Sequence, residues 1–175
     1  MAGRLPSITG IEGLNPTRRY RWFRPRQAAR GAVNFTSGVG AYNDVGLQNN
    51  STAAKILVVR EFFILSAAVG SGAGGWFMTQ RSIGQNGSSY VENYFRQGAT
   101  LPGIMVSNSD VTQQFPNVYQ NQLGLGQNLT WVHDFPFAII EPGWSLVWQS
   151  AAQNVGATLS MIWEVVDPDE LDYMT

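Results

Sequence analysis

The chain has 175 residues, of which only 13% are charged and none is cysteine. This length is enough for one domain with a sizeable core, but the share of charged residues is about half of that in a usual soluble domain. Disulfides and thiolate chemistry are excluded. Because a lone monomer needs more surface charge to stay soluble, other subunits are expected to cover part of the surface. The 19 glycines and the many aromatic residues favour an all-β protein with many turns.

Basic residues are concentrated at the start of the chain and acidic residues at its end. Seven of the eleven basic residues lie in the first thirty positions, and five of the twelve acidic residues lie in the last twelve. Prolines and glycines in residues 1–30 exclude a long helix, so this segment is predicted to be an extended N-terminal arm. Residues 167–175 are predicted to be a short acidic tail. Neither a secretory signal nor a membrane span is expected, because no apolar run is long enough.

The centre of the N-terminal arm interleaves arginines with aromatic side chains. In such a segment, the guanidinium groups can form bidentate hydrogen bonds with carboxylates or phosphates while the aromatic rings bury apolar area. It is therefore predicted to dock on an acidic protein surface. Nucleic acid is an alternative partner, and a first strand with its aromatic residues in the core is an alternative structure. The predicted docking residues are Arg18, Arg19, Tyr20, Arg21, Trp22, Phe23, Arg24 and Arg26.

Residues 31–52 are polar and rich in turn formers, with one short strand expected at 33–36. Residues 53–69 form the most apolar run of the chain. Strict alternation gives this strand two apolar faces, so both are expected to be buried. In a two-layer sandwich, a second subunit is the simplest cover for the outer face. The oligomer interface is predicted to contain Leu57, Val59, Phe63 and Leu65.

Residues 70–75 match the letters of the G-x-G-x-x-G motif that binds dinucleotides. That motif needs a following helix, whereas Trp76 and its neighbours indicate another strand, so a hairpin loop is predicted instead. Strands are expected at 89–97 and 101–107. Residues 108–128 then form a long polar loop, and such loops in compact domains are usually functional or packed on a neighbour.

A turn at Glu141-Pro142-Gly143 leads into the last predicted strands, because proline presets the second turn position and glycine tolerates positive φ at the third. Alternation places Trp144 and Trp148 on one face of the next strand. Trp163 faces inward on the last strand. A small polar loop at 150–156 separates the two strands, which together predict half of a β-sandwich core.

No arrangement typical of catalysis or metal binding is evident. His133 is the single histidine, and Asp134 beside it would point to the opposite face of a strand, so a Ser-His-Asp triad is not expected. Spacings typical of zinc or calcium ligands are absent. The chain is expected not to be an enzyme and to need no cofactor or metal. A hidden glycosidase pair remains an alternative among the carboxylates Glu61, Glu92, Asp110 and Glu141.

Two stretches resemble β-sandwich proteins of tailed-phage virions. They are AKILVVREFFIL, followed by a glycine-rich loop and GWFM, and AIIEPGWSLVWQSAAQNVGATLSMIWEVV. The resemblance covers residues 53–166. It implies a jelly-roll-like module of the virion that assembles, often as a trimer, on a capsid or tail and attaches by a terminal arm. The implied partner is the major capsid protein or another virion protein.

The sequence thus predicts an all-β, jelly-roll-like antiparallel β-sandwich over residues 31–166, with an extended N-terminal arm and a short acidic C-terminal tail. The expected function is that of a capsid decoration or cement module, which forms a homo-oligomer and docks on the shell through its arm. One alternative is a head- or tail-fibre module that binds a host glycan through the 108–128 loop. The other is a jelly-roll coat protein whose basic arm faces the packaged genome.

Overall fold

The computed structural model describes residues 27–66, 74–84, 88–93, 101–114, 119–121, 128–132 and 135–169. Eleven strands lie within these ranges. They are β1 (Gln27–Thr36), β2 (Tyr42–Gln48), β3 (Ile56–Ser66), β4 (Gly74–Thr79), β5 (Ser88–Asn93), β6 (Ile104–Asp110), β7 (Tyr119–Asn121), β8 (Asn128–Val132), β9 (Ala138–Ile140), β10 (Ser145–Gln153) and β11 (Gly156–Val166).

The strands form two antiparallel sheets packed against each other, so the predicted β-sandwich is confirmed. The larger sheet has the order β5-β1-β11-β3-β8, and β9 also pairs with β3. The smaller sheet has the order β6-β2-β10-β4-β7. None of the described strands pairs with the strand that follows it in the chain. Instead, the chain passes between the two sheets at most connections.

The core lies between the sheets and is dominated by aromatic side chains. Trp76, Trp148 and Trp163 are fully buried there. The ring of Phe62 lies 4.6 Å from that of Trp76 and 4.7 Å from that of Phe137. Burial of large rings at such distances contributes both apolar area and favourable edge or tilted contacts. The indole Nε1 of Trp163 donates a hydrogen bond to the Pro102 carbonyl at 3.0 Å, which removes the cost of burying this donor.

The Glu141-Pro142-Gly143 turn has the predicted geometry. Trp144 donates its backbone N–H to the carbonyl of Glu141 at 3.0 Å, and Gly143 has a φ of 80°, which a side chain would strain. The two strands after this turn do not pair with each other. β10 lies in the smaller sheet and β11 in the larger, so they face each other across the core.

The prediction of a hairpin loop at the glycine-rich stretch before β4 is wrong, because β3 and β4 lie in different sheets. Gly70 and Gly72 lie outside the described residues. Gly74 begins β4 and packs directly on the ring of Trp148, where any Cβ would overlap the indole. This glycine is therefore required for close contact with the core, and the strand that follows agrees with the prediction against a nucleotide-binding motif.

Two predicted boundaries change at the start of the chain. β1 begins at Gln27, so residues 27–30 belong to the larger sheet and not to the N-terminal arm. Residues 31–52 contain most of β1 and all of β2, where a single short strand was expected. The end of β11 at Val166 coincides with the predicted end of the sandwich.

Candidate functional site

Strand β3 exchanges its inward and outward positions at Arg60. β11 pairs Ile162 with Glu61 but Trp163 with Val59, so Arg60 is an extra residue with no partner in the ladder. Such a β-bulge shifts the side-chain alternation by one position. The side chains that face the core are therefore odd-numbered before Arg60 and even-numbered after it.

The bulge changes the predicted oligomer interface. Leu57 and Val59 are fully buried in the core between the sheets, so the prediction that they lie on the outward face is wrong. Phe63 and Leu65 are half-buried and face outward, as predicted. The prediction from strict alternation is wrong for these two residues, because one inserted residue exchanges the inward and outward positions along half of the strand. No local sequence pattern marks this residue.

The outer face of the larger sheet has a covered part and an open part. In the covered part, the apolar side chains of Ile56, Val58 and Val166 are buried together beside the bulge. Arg60 forms an ion pair with Glu164 next to them, with Nη2 and Oε2 3.0 Å apart. In the open part, beyond the bulge, the outward side chains of β3, β8 and β11 remain accessible.

Strand register arranges the open part in three rows. The row furthest from the bulge contains Leu65 on β3, Thr158 on β11 and Asn34 on β1, and two rows lie nearer to the bulge. One row runs Val132, Glu61, Ile162 and Arg30 across β8, β3, β11 and β1. The next row runs Thr130, Phe63, Ser160 and Ala32 across the same strands. A shallow groove of about 290 Å³ lies over the two rows nearer to the bulge.

Apolar side chains at the edge of this face are largely exposed. Val132 on β8 is 47% exposed, and Ile139 on β9, which pairs with Val58, is 46% exposed. Phe135 in the connection between these strands is 60% exposed, and its ring packs edge-on against that of Trp131 with the ring centres 5.8 Å apart. Exposed apolar side chains that are grouped on one side of a protein are typical of an interaction site. We therefore take this face of the larger sheet as the candidate functional site.

The outer face of the smaller sheet is covered by the chain itself. Ile83, in the connection after β4, is buried against Phe77, Val106 and Val147. The backbone N–H of Ser107 donates to the carbonyl of Gly84 at 3.2 Å and holds this connection on β6. The apolar side chains of this face therefore have a cover within the chain.

An ion-pair cluster extends this cover. Arg81 bridges two carboxylates, with Nη2 3.0 Å from Asp44 Oδ2 and Nη1 2.5 Å from Asp110 Oδ2. Burial raises the pKa of Asp44 to about 6, because the charged form loses its hydration. A hydrogen bond from Gln149 opposes this rise, the negative charge of Asp110 adds to it, and Arg81 partly offsets it.

Gln149 connects this cluster to the segment after β6. Its Nε2 donates to Asp44 Oδ1 at 2.8 Å and to the Thr112 carbonyl at 3.1 Å. Its Oε1 accepts the backbone N–H of Gln114 at 2.5 Å. Because these bonds are made within the chain and tie two connections to the sheet, we interpret the cluster as a structural clamp.

Sequence patterns did not reveal this clamp. Asn43, Asp44 and Gly46 are turn formers, so β2 was interpreted as a loop, although Val45 and Leu47 alternate with polar residues as in a half-buried strand. That alternation is the signal that could have placed Asp44 on the outer face. Nothing local marks Arg81 as its partner, since the two residues are 37 positions apart.

The alternative of a carboxylate pair for glycoside hydrolysis is not supported by the positions of Glu61, Asp110 and Glu141. Glu61 lies on the outer face of the larger sheet and Asp110 on the outer face of the smaller sheet, with the whole core between them. Glu141 lies in an exposed turn at the end of the sandwich. The retaining and inverting mechanisms both need carboxyl groups less than about 10 Å apart. The side chain of Glu92 is outside the described part.

Several predicted features lie outside the described residues. They include His133, Asp134 and much of the 108–128 loop. In the parts of the chain that the structure describes, no group of three His, Cys, Asp or Glu side chains is placed to hold a metal ion. The same parts contain no helix long and apolar enough to cross a membrane. Also outside are all the predicted docking residues, Arg18, Arg19, Tyr20, Arg21, Trp22, Phe23, Arg24 and Arg26.

Comparison of the chain with protein-family models, with curated proteins and with solved structures gives no significant match. The resemblance to phage virion proteins therefore depends on the quoted stretches of sequence alone. Any assignment of function has to rest on the surfaces described above.

Proposed function

We propose that the chain is a structural protein of a virion, a decoration module that assembles in several copies and attaches to the shell through its N-terminal arm. The observation that carries this proposal is the open outer face of the larger sheet. There, Phe63 and Ile162 are only half-buried and Val132 is 47% exposed. An apolar sheet face of this kind is stabilised when a second protein surface covers it.

The composition supports the same proposal. With 13% charged residues, the chain has little charge to keep an apolar face dispersed in water. The smaller sheet is covered by side chains of the chain itself, so lack of cover is specific to the larger sheet. A β-sandwich with one closed and one open outer face suits a module that is held in an assembly.

The positions at which the two terminal segments join the sandwich also support attachment at one end of it. Gln27, where β1 begins, pairs with Val165 near the end of β11. The basic segment of residues 1–26 and the acidic tail after Asp169 therefore join the sandwich at the same end of the larger sheet. Lys55 and Asp167 form an ion pair at this end, with Nζ and Oδ1 2.5 Å apart.

Deletion of residues 1–26 tests the proposed attachment. The shortened chain keeps all of β1, so it is expected to fold with an unchanged thermal midpoint. The full chain is expected in purified particles of the virus that encodes it, in fixed ratio to the shell protein, and the shortened chain is expected to be absent. Mass spectrometry of the particles measures both. Absence of the full chain from the particles would overturn the proposed function.

Two further results would correct the role of the arm. If the shortened chain cannot fold, residues 1–26 belong to the sandwich. If it folds and is still incorporated, the attachment lies elsewhere. Salt distinguishes the partners: binding to nucleic acid weakens steeply as salt rises, whereas docking through aromatic side chains weakens only in part. The trimer implied by the resemblance stays a prediction that the described residues do not test.

A further inference from the structure

We infer that strand β8, at the edge of the larger sheet, pairs with β8 of a second copy of this chain. The two strands run antiparallel about a two-fold axis that passes beside Thr130 at right angles to the sheet. This inference rests on the proposed function in one respect, since it names a contact between copies in the same assembly. It adds the strand that makes the contact, its register and its symmetry.

The two described sheets end in four edge strands, and β8 lacks the features that usually prevent pairing at an edge. Natural β-proteins protect edges with charged residues, prolines, very short strands or a cover, because the backbone N–H and C=O groups of an edge can pair with another chain. β5 carries Glu92, and β7 has three residues. β6 contacts β1 and β5 across the sandwich. The five residues of β8, Asn128–Val132, include no charged residue and no proline.

The core is closed at one side of the sandwich and less closed at the side of β8. The contacts of β6 with β1 and β5 join the two sheets at the closed side, whereas β8 makes no contact of similar extent with a described strand of the smaller sheet. Leu129 and Trp131 are opposite Ile64 and Phe62 of β3, so they point towards the core, but they are only partly buried. A further strand beside β8 would bury more of both side chains, and burial of apolar area favours association.

Exposed apolar side chains follow the same edge on the outer face of the sheet. Val132 on β8 is 47% exposed. β9 continues this edge, because it also pairs with β3, and its residue Ile139 is 46% exposed. The partner that suits such an edge is an extended, uncharged strand that offers backbone hydrogen bonds and apolar side chains. β8 of a second copy has this chemistry.

The sequence of β8 is compatible with pairing to itself. In an antiparallel register centred on Thr130, the directly opposed residues are Thr130 with Thr130, Asn128 with Val132, and Leu129 with Trp131. Opposed threonines can form a hydrogen bond across the strands. Because none of the five residues is charged, no like charges meet in the contact. A two-fold contact of this kind closes after two copies.

The pair extends the larger sheet and leaves its outer face accessible. The path β5-β1-β11-β3-β8 continues through β8 of the second copy into that copy's sheet. An axis at right angles to the sheet keeps the core faces of both copies on one side. The outer faces with their grooves therefore lie together on the other side, where both can contact the same further protein surface.

A single introduced cysteine tests the axis, because the chain itself contains no cysteine. Opposed residues of antiparallel strands have Cα atoms about 4.5–5.5 Å apart, which lies within the range that a disulfide bridges. Thr130→Cys is therefore expected to give, under mild oxidation, a disulfide-linked product of twice the chain mass of 19.2 kDa. Val111→Cys is the control and should stay largely monomeric, because Val111 is 81% exposed and lies off β8. Non-reducing electrophoresis and intact mass measure both.

Two double variants test the register. Asn128→Lys with Val132→Lys places like charges opposite each other and should weaken association at least about tenfold in sedimentation equilibrium. Asn128→Glu with Val132→Lys adds the same number of charges but opposes unlike ones, so it should keep the pair. Positions 128 and 132 are about 13 Å apart along one strand, so their charges meet only between copies. Both variants carry the same change beside Glu61, and near-ultraviolet circular dichroism verifies that each is folded.

Four results would overturn the pair: a monomeric wild-type chain at micromolar concentration, a mass of three chains, equal association of the two double variants, or Thr130→Cys that cross-links no faster than Val111→Cys. A mass of three chains would instead favour the trimer. These outcomes are separate from those of the proposed function. A two-chain mass for a protein absent from virus particles removes the proposed function and leaves the pair, whereas a monomer present in particles does the reverse.

Discussion

The two sheets share one core but differ in what covers their outer faces. On the smaller sheet, Ile83 packs over Phe77 and Val147, and Arg81 clamps two carboxylates. On the larger sheet, the corresponding positions beyond the bulge, such as Phe63 and Ile162, are half-buried and line a groove. Exposure on the larger sheet is therefore a property of that face and not of the sandwich as a whole.

The physical chemistry of the two faces differs as well. The smaller sheet buries the carboxylate of Asp44 completely, which is costly unless the charge is paired and hydrogen-bonded. Its cover must therefore stay closed, or water would have to replace Arg81 and Gln149 as partners. The open face of the larger sheet does not need a permanent cover, since its side chains can contact either water or another protein surface.

The largest expected effect concerns the core that both faces depend on. Trp148 is fully buried, so Trp148→Ala should lower the free energy of unfolding by about 3–5 kcal/mol. Trp144 directly precedes β10 and is only half-buried, so Trp144→Ala should cost less than about 2 kcal/mol. Urea denaturation measures both variants. Equal costs would show that the two tryptophans contribute alike, as simple alternation along this segment predicts.

A matched pair of substitutions tests the comparison of the faces. Phe77 is 5% exposed under the cover of the smaller sheet, so Phe77→Ala should lower the free energy of unfolding by about 3 kcal/mol. Phe63→Ala on the larger sheet should cost only about 1 kcal/mol, because the side chain is already partly in water. Both are measured at a protein concentration at which the chain is monomeric, which excludes association. A similar cost at Phe63 would mean that the chain covers both faces.

The smallest effect is a pH dependence that is specific to the smaller sheet. Burial raises the pKa of Asp44 from 3.8 to about 6, so the folded chain binds this proton more tightly than the unfolded chain does. The stabilising contribution is complete below pH 3.8 and is lost as the pH rises through 6. Asp44 should therefore make the fold about 1 kcal/mol more stable at pH 5 than at pH 7.

Asp44→Asn isolates this contribution from the other carboxylates, including Asp110, and from the charge of Arg81. The difference in unfolding free energy between pH 5 and pH 7 should shrink by about 1 kcal/mol in this variant. Asp167→Asn is the control, because the Asp167 side chain is 49% exposed in its pair with Lys55. If Asp44→Asn keeps the full pH dependence, Asp44 is not the group that titrates.

Local patterns predicted much of the fold. Alternation identified the strands that contain Trp76, Trp148 and Trp163, and proline followed by glycine identified the turn before β10. These signals are local, because a strand places successive side chains on opposite faces and a turn needs particular φ angles. The same reasoning missed β2, where turn-forming residues occupy a central strand of the smaller sheet.

The candidate site was predicted only in part. All four predicted interface residues were expected on the outer face. The structure places Phe63 and Leu65 there, but it places Leu57 and Val59 in the core. The extra residue at Arg60 is defined by its register against Ile162 and Trp163, which are about a hundred positions further along the chain. A bulge is a relation between two strands, so one strand alone cannot reveal it.

The all-β class and the aromatic core could be predicted from the sequence, since both follow from residue types and their alternation. In contrast, the strand pairing, the position at which β3 changes face and the sheet whose outer face stays open depend on the tertiary structure. The described strands never pair with their successors, so every pairing is a long-range contact. Such contacts depend on how all faces are buried together, and this information is spread over the whole chain.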